Sequence, residues 1–404
     1  MNLEPLTLPD GRPASAAWTL DETYTHVNHG SFGGVPRAAQ QHQDGLRRTM
    51  EATPGTWFPA LGAAVEQARA SIAAFLEIGA DDAALVPNAS GGASAVFNSL
   101  TVHRGPEIVV TDHGYGAVTG GAQRLARRWQ GTVRTARIPL DASAAEAHEA
   151  IMARVTDATG LIIVDQVTAA TARRLPSGMV ARAAKQLGVP VLIDAAHVPG
   201  LYARPLEGID CNYWIGNMHK FACAPRPSAV LVAREPSRDD LYPLIDSWGA
   251  AEPFPQRFNQ QGTMDATAML ATPAALGFIE ATWGWDCVRA YATRLADYAE
   301  ATVTAAFQEI TGENHRVDVG MPVSALRLVR LPTGLAANRL DGDALRERVA
   351  KELRIEAAFT SFAGAGYWRL SAHAYNTAAD YDHIAERCVP MLCAWARENR
   401  ARIS

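Results

Sequence analysis

At 404 residues, 48% of them hydrophobic, the chain is too long for one small core and predicts two domains. A net charge of −5 gives no general attraction to DNA, RNA or an anionic membrane surface, which argues against a nucleic-acid partner. Its 32 glycines and 23 prolines are scattered without a period, which excludes a collagen-like repeat, and no uninterrupted apolar run reaches membrane-spanning length.

Along the chain, residues 1–25 are polar and rich in Pro and Gly and read as a loose arm, followed by a Gly-rich turn, Val27–Pro36 (VNHGSFGGVP). Helical spacing predicts helices over Ala38–Met50 and Leu61–Leu76. Strand and helix patterns then alternate. Strands are predicted at Ala83–Val86, Glu107–Thr111, Leu161–Val164, Val189–Ile193, Tyr213–Ile215 and Ala229–Val232. Helices are predicted at Ser90–Leu100, Ala117–Trp129 and Gly178–Leu187. Short all-apolar strands separated by helices predict an α/β three-layer sandwich around a mostly parallel sheet. Ligands of such sheets bind beyond the carboxyl ends of the strands, where Asp112, Asp165, Asp194 and Asn217 fall. Two connecting helices, Leu270–Thr282 and Val288–Phe307, lead to a different pattern: strand Val323–Leu331, helix Asp343–Leu353, strand Tyr367–Ser371, helix Ala379–Trp395. The expected organisation is an N-terminal arm (1–26), a large domain (27–284) and a smaller C-terminal α+β domain (285–404). Five cysteines without metal-site spacing, and no basic-then-apolar leader, predict a soluble, reduced, cytoplasmic protein.

Four segments carry candidate chemistry. In Gly216-Asn217-Met218-His219-Lys220-Phe221 the lysine follows a short apolar strand and a turn. Surroundings that disfavour its protonated form would make it a nucleophile and, once released, a proton carrier; the alternative is an ordinary surface lysine. Asp194 follows apolar residues in Val191-Leu192-Ile193-Asp194-Ala195-Ala196-His197. A carboxylate at the rim of a core needs a partner, such as a protonated pyridine nitrogen, or else it caps the following turn. His197 would lie over or beside such a ring. Asn88-Ala89-Ser90-Gly91-Gly92-Ala93, between a strand and a helix, suits a phosphate on a helix N-terminus, with Ser90 adding a hydroxyl; an ordinary capping turn has the same composition. Arg369, inside the strand-like Tyr367-Trp368-Arg369-Leu370-Ser371, can pair bidentately with an α-carboxylate or form a structural salt bridge.

Taken together, NHGSFG at 28–33, NASGGA at 88–93, TDHGYGAV at 111–118, VLIDAAHVPG at 191–200, GNMHKFACAP at 216–225, NQQGTMD at 259–265 and WRLSAHAYNT at 368–377 resemble the class V aminotransferase family of fold-type I pyridoxal-phosphate (PLP) enzymes, in its isopenicillin N epimerase-like branch. The resemblance implies PLP held as a Schiff base on Lys220, with Asp194 on the pyridine nitrogen and His197 near the phenolic oxygen. It implies Tyr115 stacked on the ring, with His113 the competitor for that place, and Thr168 near the cofactor oxygen. Ser90, Gly91, Asn217 and His219 would hold the phosphate, and the segment Gln261-Gly262-Thr263 would reach it from a neighbouring subunit, implying a homodimer with shared active sites. Arg369 would bind the carboxylate of a small amino-acid substrate, with Asn28 alongside.

Departures from the family pattern bear on the reaction. Relatives commonly read SHVTSPTG where this chain has DQVTAATA at 165–172, and GTRD where it has Gly262-Thr263-Met264-Asp265; Phe221 replaces a common tryptophan. These changes are expected to cluster around the site. Cysteine desulfurases of the same superfamily carry a nucleophilic cysteine shortly before the carboxylate arginine, and residues 357–366 hold none. The resulting expectation is a lyase eliminating the thiol of an S-substituted cysteine in specialised metabolism. The alternatives are an epimerase, a decarboxylating or oxidative deaminase, an aminotransferase, or a scaffold without chemistry.

Overall fold

The computed structural model describes residues 3–101 and 104–403. The chain divides into two units, one comprising residues 35–168 and 174–279, the other residues 3–34, 169–173 and 280–403.

The first unit is built on a seven-stranded sheet. Its strands are β1 (Ala83–Val86), β2 (Glu107–Thr111), β3 (Val133–Ala136), β4 (Thr159–Asp165), β5 (Val191–Asp194), β6 (Tyr213–Asn217) and β7 (Ala229–Ala233), in the order β1-β7-β6-β5-β4-β2-β3. Strands β3, β2, β4, β5 and β6 pair in parallel, and β7 runs antiparallel to both neighbours. The break at β7 has a local cause: a connection without a helix returns the chain antiparallel, whereas a parallel return needs a longer crossover. That connection, residues 218–228, contains Lys220.

Period-two alternation assigns the strand residues to two faces. Val86, Val110, Leu161, Ile163, Leu192, Tyr213, Ile215 and Leu231 form one buried cluster with residues of α1 (Ala89–Ser99) and α2 (Gly116–Arg128). The opposite face meets α3 (Ala144–Met152) and α4 (Ser177–Gln186). Apart from the edge strand β3 the strands are buried on both sides, giving a three-layer α/β architecture. β3 and α3 escaped the sequence reading. β3 (Val-Arg-Thr-Ala) is an edge strand with three half-exposed or exposed residues. α3 did carry a start signal: Ser143 and Glu146 form a capping box.

The second unit has a three-stranded antiparallel sheet, with β10 (Ala365–Ser371) between β8 (Leu326–Arg330) and β9 (Phe359–Phe362). The long helices α5 (Trp285–Thr311) and α6 (Ala378–Ile403) pack on each other and α5 covers β8. The N-terminal segment read as a loose arm is anchored here. Trp18 is 1% exposed, stacks on Trp283 with ring centroids 5.8 Å apart, and meets Tyr375 edge-on at 5.3 Å. Burying an aromatic ring of this size contributes on the order of 2–3 kcal/mol toward the entropy cost of ordering this stretch. Among the described residues no helix is long and apolar enough to cross a membrane.

Candidate active site

Three polar side chains end adjacent parallel strands of the large sheet. Asp165 closes β4, Asp194 closes β5 and Asn217 closes β6. Each continues the alternation of the clustered residues Leu161–Ile163, Leu192 and Tyr213–Ile215, so all three face the side that carries α1 and α2. Asn217 accepts the Ala89 N–H at 2.8 Å, and Asn88 caps the same helix by accepting the Gly91 N–H at 2.8 Å. Gly91's backbone donor is therefore engaged by the cap, while Ser90 is exposed at the helix start. Gly92 has no room for a side chain, since a Cβ there would stand 2.9 Å from Ile215.

Asp194 is 4% exposed. Its Oδ1 accepts the Ala196 N–H at 3.0 Å, while its buried Oδ2 has no hydrogen-bond partner. Burial raises its pKa, partly offset by the Ala196 N–H and then by the charge of Lys220. A buried carboxylate oxygen left without a donor suits a protonated ring nitrogen brought in by a ligand. Asp165, equally buried, is raised well above the usual carboxylate range by burial and then by the charge of Asp194.

Lys220 Nζ lies 3.2 Å from Nε2 of the buried His197. The loop that carries the lysine is fixed at both sides. Met218 and His219 donate to the Ser228 carbonyl and Ala224 donates to that of Met218. Gly200, at φ +84°, lies against the loop so closely that a Cβ would stand 2.4 Å from the Phe221 carbonyl oxygen. Cys223 is buried, and burial pushes its thiol well above the ordinary range, so it is no thiolate nucleophile. His219 Nδ1 is 2.9 Å from the Ser228 carbonyl oxygen, and burial lowers the ring to about 4.

Tyr115 and His113 separate clearly. His113 is buried with Nε2 2.7 Å from the Ile138 carbonyl oxygen, whereas Tyr115 is 47% exposed at the N-cap of α2. Thr168 is fully buried just beyond β4. Gly262 (φ +77°) and Thr263 are exposed on a loop. Gln166 corrects the expectation that departures cluster at the site. It accepts from Trp214 Nε1 at 2.8 Å and donates to the Pro205 carbonyl at 2.7 Å, against the opposite face of the sheet from Asp165 and Asp194.

In the second unit Arg369, 4% exposed on β10, donates to the Ala169 carbonyl at 2.5 Å, to Ser31 Oγ at 2.8 Å and to Asn28 Oδ1 at 3.4 Å. Ser31 in turn donates to Asn28 Oδ1 at 2.6 Å. These three contacts orient the guanidinium, whose planar fork of donors suits an anionic ligand. Ser31 escaped the sequence reading although it lies in the motif NHGSFG; Asp165 was noted only as a strand end.

Residues 58–321 match the family described as Aminotransferase class-V. The chain is 28% identical to an isopenicillin N epimerase of Streptomyces clavuligerus, over 94% of this chain and 98% of that one. It is 22% identical to an L-cysteine desulfhydrase-like protein of Epichloe uncinata, over 97% and 98%. Among solved structures, the cystine C–S lyase C-DES, in complex with its product cysteine persulfide, superposes with a TM-score of 0.75 at 18% identity, covering 93% of this chain and 98% of that one, a likeness of fold.

Proposed function

Since the chain belongs to the class-V aminotransferase family and is a PLP-dependent enzyme acting on an amino-acid substrate, we propose that it is a C–S lyase that eliminates the thiol from an S-substituted L-cysteine. PLP, when bound, supplies an electron sink at the substrate Cα. In this reading Lys220 anchors the cofactor covalently, and Asp194 Oδ2 accepts from the ring nitrogen. Tyr115 would cover the ring, and His197 and Thr168 would serve its phenolic oxygen. Ser90, Gly91, Asn217 and His219 hold the phosphate end, joined by Gly262 and Thr263 of a second copy in a homodimer. Arg369, with Asn28, takes the substrate carboxylate.

The chain's own groups then divide the work. Once the substrate's own amine had displaced it from the cofactor, the freed Lys220 amine, beside His197, would remove the proton from Cα. The Cβ–S bond breaks with its electron pair leaving on sulfur, which takes up a proton from Tyr115 or His197. Water releases pyruvate and ammonia. The observation that carries this reading against persulfide chemistry is the segment before Arg369. Residues 359–371 form a tight hairpin, turned at Ala363 (φ +49°) and Gly364 (φ +79°), with no thiol on it. The desulfhydrase-like relatives support elimination.

A second reading, epimerisation at Cα, is favoured by the 28% identity to an isopenicillin N epimerase. Mass spectrometry of products from L-amino acids and S-conjugated cysteines in deuterated water separates the two. Pyruvate plus free thiol is expected. Intact amino acid of mixed chirality with deuterium at Cα would establish the epimerase instead. A homodimer in the reducing cytoplasm completes the proposal.

A further inference from the structure

We propose that Asp165 is a positioning residue of this site: its buried carboxyl anchors the turn that presents Tyr115, beside the strand that ends in Asp194. The inference rests on the reading of the site as a PLP site, not on the reaction that follows. It begins with register. Asp165 and Asp194 are direct partners across the parallel pair β4–β5, both 4% exposed, and the Gln166 N–H donates to the Asp194 carbonyl at 2.7 Å, which locks that register. Alternation turns both carboxyls to the same face, so two acids stand side by side at the ends of neighbouring strands.

Their partners differ. Asp194 keeps one oxygen for the Ala196 N–H and leaves the other without a partner. The Tyr115 backbone N–H favours the ionised form of the Asp165 carboxyl. The carboxyl lies directly beneath that turn: a Cβ built on Gly114 would stand 3.7 Å from Asp165 Oδ2 and 3.2 Å from the Thr111 carbonyl oxygen. The tight limits at Gly114 are Thr119 Oγ1, 3.0 Å from such a Cβ, and the Thr111 carbonyl, while the acid lies in ordinary contact under the turn. Tyr115 then has extended backbone (φ −62°, ψ 125°) as the N-cap of α2, makes no side-chain cap of its own, and leaves its ring exposed. Because no side-chain cap holds the Tyr115 end of the helix, the seat of this turn on the Asp165 carboxyl sets where the ring stands.

The charge state follows from the neighbours. The groups acting on Asp165 are Asp194 on β5, which opposes its ionisation, and the Tyr115 N–H and Lys220, which favour it; burial and Asp194 prevail. Two adjacent buried acids do not both ionise, and Asp194 is the one with an open oxygen for a cationic ring nitrogen. Asp165 therefore works as an uncharged acceptor, and an amide should replace it.

The test compares wild type, Asp165→Asn, Asp165→Ala, Tyr115→Ala and the double variant Asp165→Ala/Tyr115→Ala, each stripped of cofactor and titrated with PLP at pH 7.5. Kd is read by tryptophan fluorescence and the ring environment by visible circular dichroism of the bound chromophore. Asp165→Asn is expected to keep Kd within twofold and the dichroic band unchanged. Asp165→Ala is expected to weaken binding about tenfold and alter the band, and to add almost nothing in the Tyr115→Ala background, since both changes break one unit. Wild-type behaviour of Asp165→Ala, or additive effects of the two alanines, would overturn the anchor. Asp165→Asn as impaired as Asp165→Ala would overturn it in favour of a charged role. Failure of the wild type to bind PLP would instead sink the underlying site, so the two failures are distinct.

Discussion

The Lys220 amine stands 3.2 Å from Nε2 of His197, close enough that one proton bridges the two nitrogens. An amine and an imidazole so placed cannot both present a proton to the other, so His197 accepts when Lys220 is an ammonium and orients it when it is not. If Lys220 is the anchoring base, borohydride reduction of the loaded enzyme followed by peptide mapping will leave the cofactor on the Lys220 peptide alone. Lys220→Ala will show no such label, and kcat will fall by at least about 10³-fold. His197→Gln, which keeps one polar atom but cannot shuttle a proton, should lower kcat by about 10²-fold while leaving the label on Lys220. Label on any other lysine would remove Lys220 from its role.

Asp194→Asn is expected to have opposite effects on the stripped and the loaded protein. Burial raises the Asp194 pKa, so the native state without cofactor binds protons more tightly than the unfolded chain. Its contribution therefore falls as pH rises from about 4, the unfolded value, through the raised native one. In the stripped protein, Asp194→Asn should gain stability relative to wild type as pH rises above about 4, measured by thermal unfolding. In the loaded protein the carboxylate has its cationic partner, so the variant should lose both stability and about 10²–10³-fold in kcat. A loaded variant as active as wild type would detach Asp194 from the ring.

How far these residues could be read in advance depended on what their signal was made of. β1, β5 and β7 are short, wholly buried and apolar to within a residue of their ends, so composition alone located them. The polar residues Asp165, Asp194 and Asn217 then stood out because a charged or amide group ending such a run has few bland explanations. Ser31, by contrast, is one small polar residue in a Gly-rich turn, and only its 2.8 Å contact with Arg369 gives it meaning. Gln166 shows the converse: it departs from the family pattern beside Asp165, but one step along a strand reverses the face, and its amide serves Trp214 and Pro205. The N-terminal segment misled for a similar reason, since one tryptophan among polar residues decides its place through contacts far away in sequence.

Arg369 donates to the Ala169 carbonyl and to the side-chain oxygens of Ser31 and Asn28. Its fork of N–H donors matches the two oxygens of a substrate carboxylate. Arg369→Lys loses the fork geometry and should raise KM by about 10–10²-fold, corresponding to the 1.5–3 kcal/mol of a charge-assisted hydrogen bond, with a smaller effect on kcat. Ser31→Ala should raise KM a few-fold by loosening the guanidinium. An Arg369→Lys enzyme whose KM is unchanged for every amino acid tested would show that the carboxylate binds elsewhere.

His219 gives the sharpest dependence on pH. Burial lowers it from an unfolded value near 6.5 to about 4. Between those values the unfolded chain holds the proton and the native one does not, so stability rises with pH through this window and is lost as pH falls from 6.5 toward 4. The loss from this residue between pH 7.5 and pH 5 is about 2 kcal/mol, readable as a shift in the urea midpoint of the stripped protein. His219→Gln keeps an amide N–H for the Ser228 carbonyl and should remove most of that loss. A phosphate reverses the balance. With Nδ1–H donated to Ser228, the neutral ring offers only a lone pair at Nε2, so a contact with a dianion requires a second proton. Cofactor binding should therefore take up a proton at pH 6–7, measured by calorimetry in buffers of different ionisation enthalpy, and His219→Gln should abolish the uptake. Binding without proton uptake in the wild type would place His219 outside the phosphate contacts and leave them to Ser90, Asn217 and the start of α1.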